Sequence, residues 1–286
     1  MAVMISRRQL LGTALAAPLL TAAKSAYKGV PLGAQTYSFR DRDLDGCLKA
    51  MREIGMTYAE VFTGHVEPKV PGTGQEAREA IRQWRLRVTE AGIKPIVAKF
   101  KAAGVTPYAY NYSFRDDFTD DEMEKGFLVA KWLGAKCLTA SATVSVAKRV
   151  APFAAKHKMR VGMHNHSRIH ENEFATPESF AEAMKAGEYI AVNLDLGHFW
   201  AANFDPVDYL KKNHEKIVTV HLKDRKKNQG ANMAFGEGDT PLKECLHLIR
   251  DNKWKIPAMI EYEYKGADTV VEVRKCFEYS KKLLLA

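Results

Sequence analysis

The feature of this sequence that most constrains its fold is a regular alternation of short apolar runs with longer amphipathic stretches. From residue 30 onward we find eight apolar runs of strand length, separated by segments with apolar residues at helical spacing. The runs cover residues 31–38, 58–63, 105–113, 135–142, 160–166, 189–196, 217–223 and 257–263. This alternation predicts βα units and a parallel sheet. Because no low-complexity linker divides them, we predict an α/β protein with a single (β/α)8 TIM barrel.

The segments between the runs contain helical patterns, and several have start signals. The patterns cover residues 44–54, 121–133, 146–157, 177–186, 206–212, 241–251 and 269–282. A capping residue precedes proline at Thr176, Asp205 and Thr240, an order that favours the first turn of a helix. Residues 75–103 contain two further helical patterns, with an interruption near Gly92. No Gly-x-Gly-x-x-Gly follows the first run, which argues against an open dinucleotide-binding sheet.

The amino-terminal residues predict an export signal rather than part of the fold. The paired arginines Arg7 and Arg8 directly precede an uncharged stretch, residues 10–23, that ends in small residues. We therefore assign residues 1–23 to a twin-arginine signal peptide and residues 24–286 to the barrel. The stretch is too short and Ala-rich for a membrane span, so we expect none in the mature protein. Export by this route predicts a periplasmic location.

Neither the net charge nor the cysteine content indicates a nucleic-acid partner or a disulfide-based fold. Lys and Arg number 43 and Asp and Glu 34, a net charge of +9, but the basic residues are scattered over helical patterns. A charge excess of this kind is a weak indicator of partners, and we expect no nucleic-acid binding. The cysteines fall singly, which argues against a zinc ribbon or a disulfide scaffold; one bridge, Cys47 to Cys276, stays open for an exported protein.

Metal-ligand side chains concentrate at the ends of the last four predicted strands. These strands end in Met163-His164-Asn165-His166, Asn193-Leu194-Asp195-Leu196-Gly197-His198, Val220-His221-Leu222-Lys223-Asp224 and Ile260-Glu261-Tyr262-Glu263. Because side chains alternate between the two faces of a strand, the apolar neighbours of Asp195, His221 and Glu261 pack outward while these three point into the barrel. On the fifth strand the same rule turns His164 and His166 inward.

We predict from this clustering that His164, Asp195, His221 and Glu261 bind one divalent metal ion. Buried charged groups are costly unless they are paired or bound to metal. Mixed imidazole and carboxylate ligation suits Mn, Co, Zn, Mg or Fe better than a Ca cage.

These strand ends resemble the xylose-isomerase-like sugar isomerase/epimerase superfamily, which includes tagatose 3-epimerase, hydroxypyruvate isomerase, inosose dehydratase and endonuclease IV. The matching motifs are Leu194-Asp195-Leu196-Gly197-His198, His221-Leu222-Lys223-Asp224, Gly236-Glu237-Gly238 and Ile260-Glu261. The resemblance implies that Asp195, His221 and Glu261 are metal ligands, that His198 contacts a substrate oxygen, and that Arg225 is a substrate-contacting arginine.

The sequence departs from the epimerases on the fifth strand. Where they place a glutamate that binds metal and moves a proton, this chain has His164-Asn165-His166, as in the dehydratase-like branch. His164 is then a metal ligand or, together with His166, the base. Glu60 is predicted to point inward from the second strand. It is either a carboxylic acid that supports the metal ligands or a structural residue.

The resulting prediction is a metal-dependent sugar isomerase or epimerase that removes a proton next to a carbonyl and proceeds through an enediolate. A dehydratase or lyase of a keto-sugar or keto-inositol is the alternative; a non-catalytic sugar binder and an endonuclease IV-like nuclease rank below both. The catalytic candidates are His164, His166 and Glu261. The substrate-binding candidates are His198, Arg225, Lys223, Tyr37, Tyr112 and Trp200. The two tyrosines belong to a repeated Tyr-Ser-Phe-Arg-Asp segment at strand ends. Small sugars are the expected ligands, and an oligomer remains open.

Overall fold

The computed structural model describes residues 24–286. The predicted signal peptide, residues 1–23, lies outside the described residues.

Eight parallel strands form the closed barrel that the sequence predicts. They are β1 (Val30–Gln35), β2 (Tyr58–Phe62), β3 (Thr106–Asn111), β4 (Cys137–Ala140), β5 (Val161–His164), β6 (Ile190–Asp195), β7 (Ile217–Leu222) and β8 (Ala258–Ile260). Each strand pairs with the next along the chain, and β1 also pairs with β8, which closes the sheet. Two short antiparallel strand pairs lie outside the eight parallel strands. Ala26–Tyr27 pairs with the start of β1, and Asp224–Arg225 pairs with Asn232–Met233.

The helices cover the outside of the barrel. They are α1 (Leu44–Ile54), α2 (Gln75–Arg87), α3 (Glu90–Ala103), α4 (Asp120–Leu133), α5 (Val144–His157), α6 (Pro177–Met184), α7 (Leu196–Ala201), α8 (Pro206–Asn213), α9 (Leu242–Asp251) and α10 (Thr269–Leu285), with 3-10 turns at Thr36–Phe39, Thr63–His65 and His214–Lys216. In the part of the chain described, none of them combines the length and the apolar character that crossing a bilayer requires.

The two helices predicted in residues 75–103 are present, and one capping prediction was wrong. The interruption in residues 75–103 lies at Val88 and Thr89, because the Thr89 side chain accepts the Gly92 N–H and so begins α3. Thr176 and Asp205 cap their helices as predicted, but Thr240 does not. Its hydroxyl instead accepts the Arg225 N–H, which ties the loop after β7 to the start of α9.

The strand register places the polar residues at one end of the barrel. His221 is aligned with Asp195 on one side and with Met259 on the other, and Gln35 is aligned with Glu60. Deeper inside, at the other end, the inward side chains are apolar: Ala109, Cys137, Ala191 and Val218. The site therefore sits at the carboxyl ends of the strands, above an apolar floor, where TIM barrels place their chemistry.

Candidate active site

A cavity of ≈290 Å³ opens at the carboxyl ends of the strands. It is lined by side chains from all parts of the barrel rim: Gln35, Tyr37, Phe62, Asn111, Ser113, Ser141, His164, His166, His198, His221, Glu261 and Glu263. Phe62 is apolar and the other lining side chains carry polar groups, so the cavity suits a small molecule that carries several hydrogen-bonding groups.

Four potential metal ligands meet at the floor of this cavity. One donor atom each from His164, Asp195, His198 and Glu261 lies within 4.8 Å of the others. His221 is adjacent, since its Nδ1 is 3.2 Å from Glu261 Oε2 and 4.0 Å from Asp195 Oδ2. The four residues predicted as ligands thus come together, and His198 joins them.

The fit to a metal ion is tested by the hydrogen bonds these side chains make. In the described residues, His164 Nδ1 and Asp195 Oδ2 are buried and take part in no hydrogen bond. Asp195 Oδ2 still faces the Lys223 ammonium at 3.2 Å, whereas His164 Nδ1 has no polar partner. Because buried polar atoms are almost always satisfied, His164 Nδ1 calls for an unseen partner. An imidazole nitrogen and a carboxylate oxygen are ligands that Zn, Mn, Co and Fe accept. The residues present therefore fit a divalent ion, which His164, Asp195 and Glu261 would hold together with His198 or the adjacent His221.

His221 is fixed by a carboxylate behind it. Its Nε2 lies 2.8 Å from Glu60 Oε2, and both side chains are buried. Burial opposes the charged imidazolium, but the carboxylates of Glu60 and Glu261 outweigh it and raise the pKa of His221 well above its usual value. With Nε2–H directed at Glu60, Nδ1 is the nitrogen left to face Glu261 and a metal.

The Lys223 ammonium lies among the carboxylates. Its Nζ is 3.2 Å from Asp195 Oδ2, 2.8 Å from Glu261 Oε2 and 2.6 Å from Glu263 Oε2. Burial works against the charge, but the three carboxylates raise the pKa of Lys223, so the amine stays protonated. Despite its own burial, Glu261 has a pKa well below the usual range because Lys223 and His221 are so close.

The remaining imidazoles are held neutral. Burial and the nearby cations lower the pKa of His164 and of His198 well below the usual value. His198 Nε2 is 3.0 Å from Lys223 Nζ, and its Nδ1 is 2.7 Å from Arg225 Nη1. His166 stands at the mouth of the cavity with an exposed ring. Loss of water on its cavity side, with Lys223 nearby, lowers the pKa of His166.

Four of the six predicted substrate-binding residues do not line this cavity: Lys223, Arg225, Tyr112 and Trp200. Lys223 is buried among the carboxylates, and Arg225 lines a neighbouring cavity. The Tyr112 ring is buried and its hydroxyl donates to the Glu122 carbonyl in α4, so it packs between barrel and helix. The Trp200 indole N–H donates to Asp239, and Lys227 stacks on its ring 3.9 Å away. Tyr37 lines the cavity as predicted.

Several lining residues were missing from the predicted site, although strand alternation indicates them. Glu263 is two residues after the inward Glu261, and Ser113 is two after the inward Asn111. Gln35 is aligned with the inward Glu60 at the barrel rim. Applying period two to every strand end, instead of selecting only ionisable residues and aromatics, finds these polar contacts.

Two of the glycine-containing motifs, at Gly197 and at Gly236-Glu237-Gly238, have a structural explanation. A Cβ on Gly197 would lie 2.4 Å from the Lys223 carbonyl oxygen, so only glycine lets α7 approach β7 this closely. The Asp224 carboxylate accepts the N–H groups of Gly236, Gly238 and Thr240, which anchors the loop after β7 to that carboxylate.

Fold and site together define a TIM-barrel protein with a polar cavity and a set of metal-ligand side chains at the carboxyl ends of its strands. The profile of the xylose isomerase-like TIM barrel family matches residues 48–282, and the chain belongs to this family. A search of curated proteins gives no match to the sequence.

Solved structures with the same fold include enzymes of several kinds. The 3-keto-D-glucoside 4-epimerase from E. coli has a TM-score of 0.66 and 13% identity, covering 88% of this chain and 99% of that one. The probable 3-DHS dehydratase of petrobactin synthesis from Bacillus anthracis has a TM-score of 0.64 and 16% identity, covering 86% and 97%. The IOLI protein, solved with a zinc atom, has a TM-score of 0.64 and 14% identity, covering 89% and 97%.

Proposed function

We propose that this protein is a divalent-metal-dependent isomerase or epimerase of a small keto-sugar. The observation that carries the proposal is the convergence of His164, Asp195, His198 and Glu261 beneath a polar cavity, with His221 beside them and His164 Nδ1 buried and unpartnered. A metal-dependent isomerase or epimerase needs a divalent ion held next to its bound substrate, and this arrangement of ligands and cavity would provide it.

When bound, the ion supplies Lewis-acid polarisation of the substrate carbonyl, which acidifies the adjacent C–H and stabilises the enediolate. The neutral imidazole of His166, whose ring is exposed at the cavity mouth, accepts the proton from carbon. Glu263 projects from the end of β8, and its carboxylate is held by Lys223. His166 and Glu263 both line the cavity beside His198, so each can exchange a proton with a substrate bound there. His164, which is buried and neutral, and Glu261 serve as ligands.

A dehydratase or lyase is the second candidate, favoured by the histidines of β5. The cavity receives no carboxylate from that strand, so the symmetric pair of glutamates that serves epimerisation is incomplete. Proton removal followed by loss of a β-oxygen needs only one base and one acid. A neighbour of the same fold carries a dehydratase name, which supports this candidate at the level of fold alone.

Exchange of carbon-bound hydrogen in deuterated water tests the first step that both candidates share. We expect slow exchange into one position of a ketose or 3-keto-sugar, abolished by a chelator and by Asp195→Asn. Asp208→Asn, a surface carboxylate paired with Lys212, is the matched control and retains exchange. Analysis of the products then separates isomers from eliminated products.

The opposite outcomes are also informative. Tight sugar binding without any exchange would show a non-catalytic sugar binder. Nicking of abasic DNA at a useful rate would show a nuclease and overturn the proposal.

We also propose that the protein is exported through the twin-arginine route, on the strength of Arg7 and Arg8 before an uncharged stretch. The expected result is a periplasmic protein cleaved near residue 23. Replacing both arginines by lysine should retain the precursor in the cytoplasm, and periplasmic delivery of that variant would contradict the proposal.

A further inference from the structure

The Glu60 carboxylate, which holds His221 with one oxygen, has a second buried partner. Its Oε2 lies 2.8 Å from His221 Nε2, and its Oε1 accepts the Thr139 hydroxyl at 2.7 Å. Thr139 Oγ1 in turn accepts the Asn111 Nδ2–H at 3.2 Å. Glu60 and Thr139 are wholly buried, whereas Asn111 lines the cavity. One carboxylate therefore anchors a candidate metal ligand and, through Thr139, a side chain of the cavity wall.

The direction of these hydrogen bonds decides which atom of the Asn111 amide is left for a ligand. Thr139 has a single hydroxyl proton, and it donates that proton to Glu60. Thr139 Oγ1 can then only accept a hydrogen bond from Asn111, which fixes the amide with Nδ2 toward Thr139. Within residues 24–286, Asn111 Oδ1 has no hydrogen-bond partner and is not fully buried. The polar atom that Asn111 offers to the cavity is therefore an acceptor.

Gln35 in β1 offers the opposite polarity to the same cavity. Its Oε1 accepts the Tyr37 N–H at 2.6 Å, so Nε2 is the atom left for a ligand. A carbonyl, ether or hydroxyl oxygen can accept a hydrogen bond from Gln35 Nε2, whereas Asn111 Oδ1 needs a ligand group that donates. In an uncharged sugar the groups that donate are hydroxyls. Asn111 can therefore distinguish a free hydroxyl from an ether or a methylene.

We propose that Asn111 is a specificity-determining residue whose Oδ1 accepts a hydroxyl of the substrate, and that Thr139 is the positioning residue that turns this oxygen toward the cavity. This rests on the proposed function for the class of ligand, a small ketone with several free hydroxyl groups. A ligand that lacks the hydroxyl leaves Oδ1 desolvated and without a donor. Sites built to bind a hydroxyl reject such analogues for this reason.

The test measures binding of the four D-ketohexoses to the manganese-loaded protein by calorimetry. The ketose that binds most tightly is then compared with its monodeoxyfluoro analogues, because fluorine has nearly the size of a hydroxyl and cannot donate a hydrogen bond. We expect fluorine at one carbon to weaken binding about tenfold, which is about the loss of one hydrogen bond. Asn111→Leu should bind the ketose and this analogue equally well.

The role of Thr139 is tested by the same ratio of affinities. Thr139→Val removes the hydroxyl, so the Asn111 amide is free to turn its Nδ2 toward the cavity, and the tenfold ratio should fall toward one. Thr139→Ser keeps the hydroxyl and should retain the ratio. Thr219→Val is the matched control, because Thr219 is equally buried but donates to the Asn193 amide. A merely structural Thr139 would weaken the ketose and its analogue alike and leave the ratio unchanged.

Failure of this inference differs from failure of the proposed function. The inference is wrong if no ketohexose binds, or if Asn111→Leu keeps the ratios of the unaltered protein. Exchange of carbon-bound hydrogen in the same ketose, with ratios that do not depend on Asn111, would leave the proposed function standing without this contact. A ratio that depends on Asn111 and Thr139, without any exchange, would support the hydroxyl acceptor and contradict the proposed isomerase.

Discussion

Glu60 Oε2 and His221 Nε2 lie 2.8 Å apart, in a buried contact between the second and seventh strands of the barrel. The contact directs Nε2 at Glu60 and leaves Nδ1 as the nitrogen that faces Glu261 and the cavity. A carboxylate behind a ligand histidine orients the ring and increases its basicity, and loss of such a partner typically weakens metal binding 10–100-fold.

We therefore predict that Glu60→Gln lowers the affinity for Mn or Zn by about 10- to 100-fold. Competition with a chromophoric chelator measures this affinity. Glu122→Gln is a matched control, because Glu122 is equally buried but pairs with Arg82 and Arg85 outside the cavity. A metal affinity equal to that of the unaltered protein would show that Glu60 does not support the ligand.

Removal of the Lys223 ammonium should destabilise the metal-free protein and increase the stabilisation that a bound metal ion provides. Lys223→Met leaves the carboxylates of Asp195, Glu261 and Glu263 without their cation, so the metal-free protein should lose about 3–5 kcal/mol of stability. A divalent ion would then meet no competing charge, so the gain in Tm on adding Mn should exceed that of the unaltered protein.

Thermal unfolding with and without a chelator provides the measurement. Lys275→Met removes an ammonium from a surface pair with Glu272, and should alter the metal-dependent gain in Tm very little. An equal gain in Lys223→Met and the unaltered protein would exclude competition between the ammonium and the ion.

Gly197→Ala should destabilise the protein by about 1–3 kcal/mol, because the new methyl would press on the Lys223 carbonyl at 2.4 Å. Gly92→Ala is the control: its Cβ would meet nothing closer than 3.9 Å inside α3, and the change should stabilise by about 0.5–1 kcal/mol. Chemical denaturation measures both. A neutral Gly197→Ala would show that α7 can move away from β7.

The cysteines should be unreactive in the folded protein at mildly alkaline pH. All four, Cys47, Cys137, Cys245 and Cys276, are free and buried. Burial raises the pKa of Cys47 and of Cys276 to about 12, so the reactive thiolate is scarce at pH 8 and the sulfur is inaccessible. Because the folded pKa is above that of an unfolded thiol, reactivity should appear on unfolding.

A thiol-specific chromogenic reagent provides the check. We expect almost no colour in native protein at pH 8 and four equivalents in denaturant. Rapid titration of the native thiols, or fewer than four in denaturant without reductant, would contradict the free, buried state. The second result would also reopen a Cys47–Cys276 bridge.

Much of the candidate site could be predicted because strand alternation is a local rule. His164, Asp195, His221 and Glu261 occupy inward positions at or next to strand ends. The register aligns Asp195 with His221 and places His164 two residues lower, opposite Asn193. The same rule does not apply where a helix follows the strand directly. Trp200 lies in α7, where helical geometry turns its ring toward Asp239 and away from the cavity.

By itself, the sequence determined the number and order of the βα units and which side chains of each strand point inward, because hydrophobic periodicity reports burial within one element. Only the tertiary structure decided that Glu60 supports His221, that Lys223 lies among three carboxylates, and that a second cavity adjoins the first. These contacts join residues from strands and loops that are distant in sequence. Their geometry follows from barrel closure and loop packing, which no local pattern encodes.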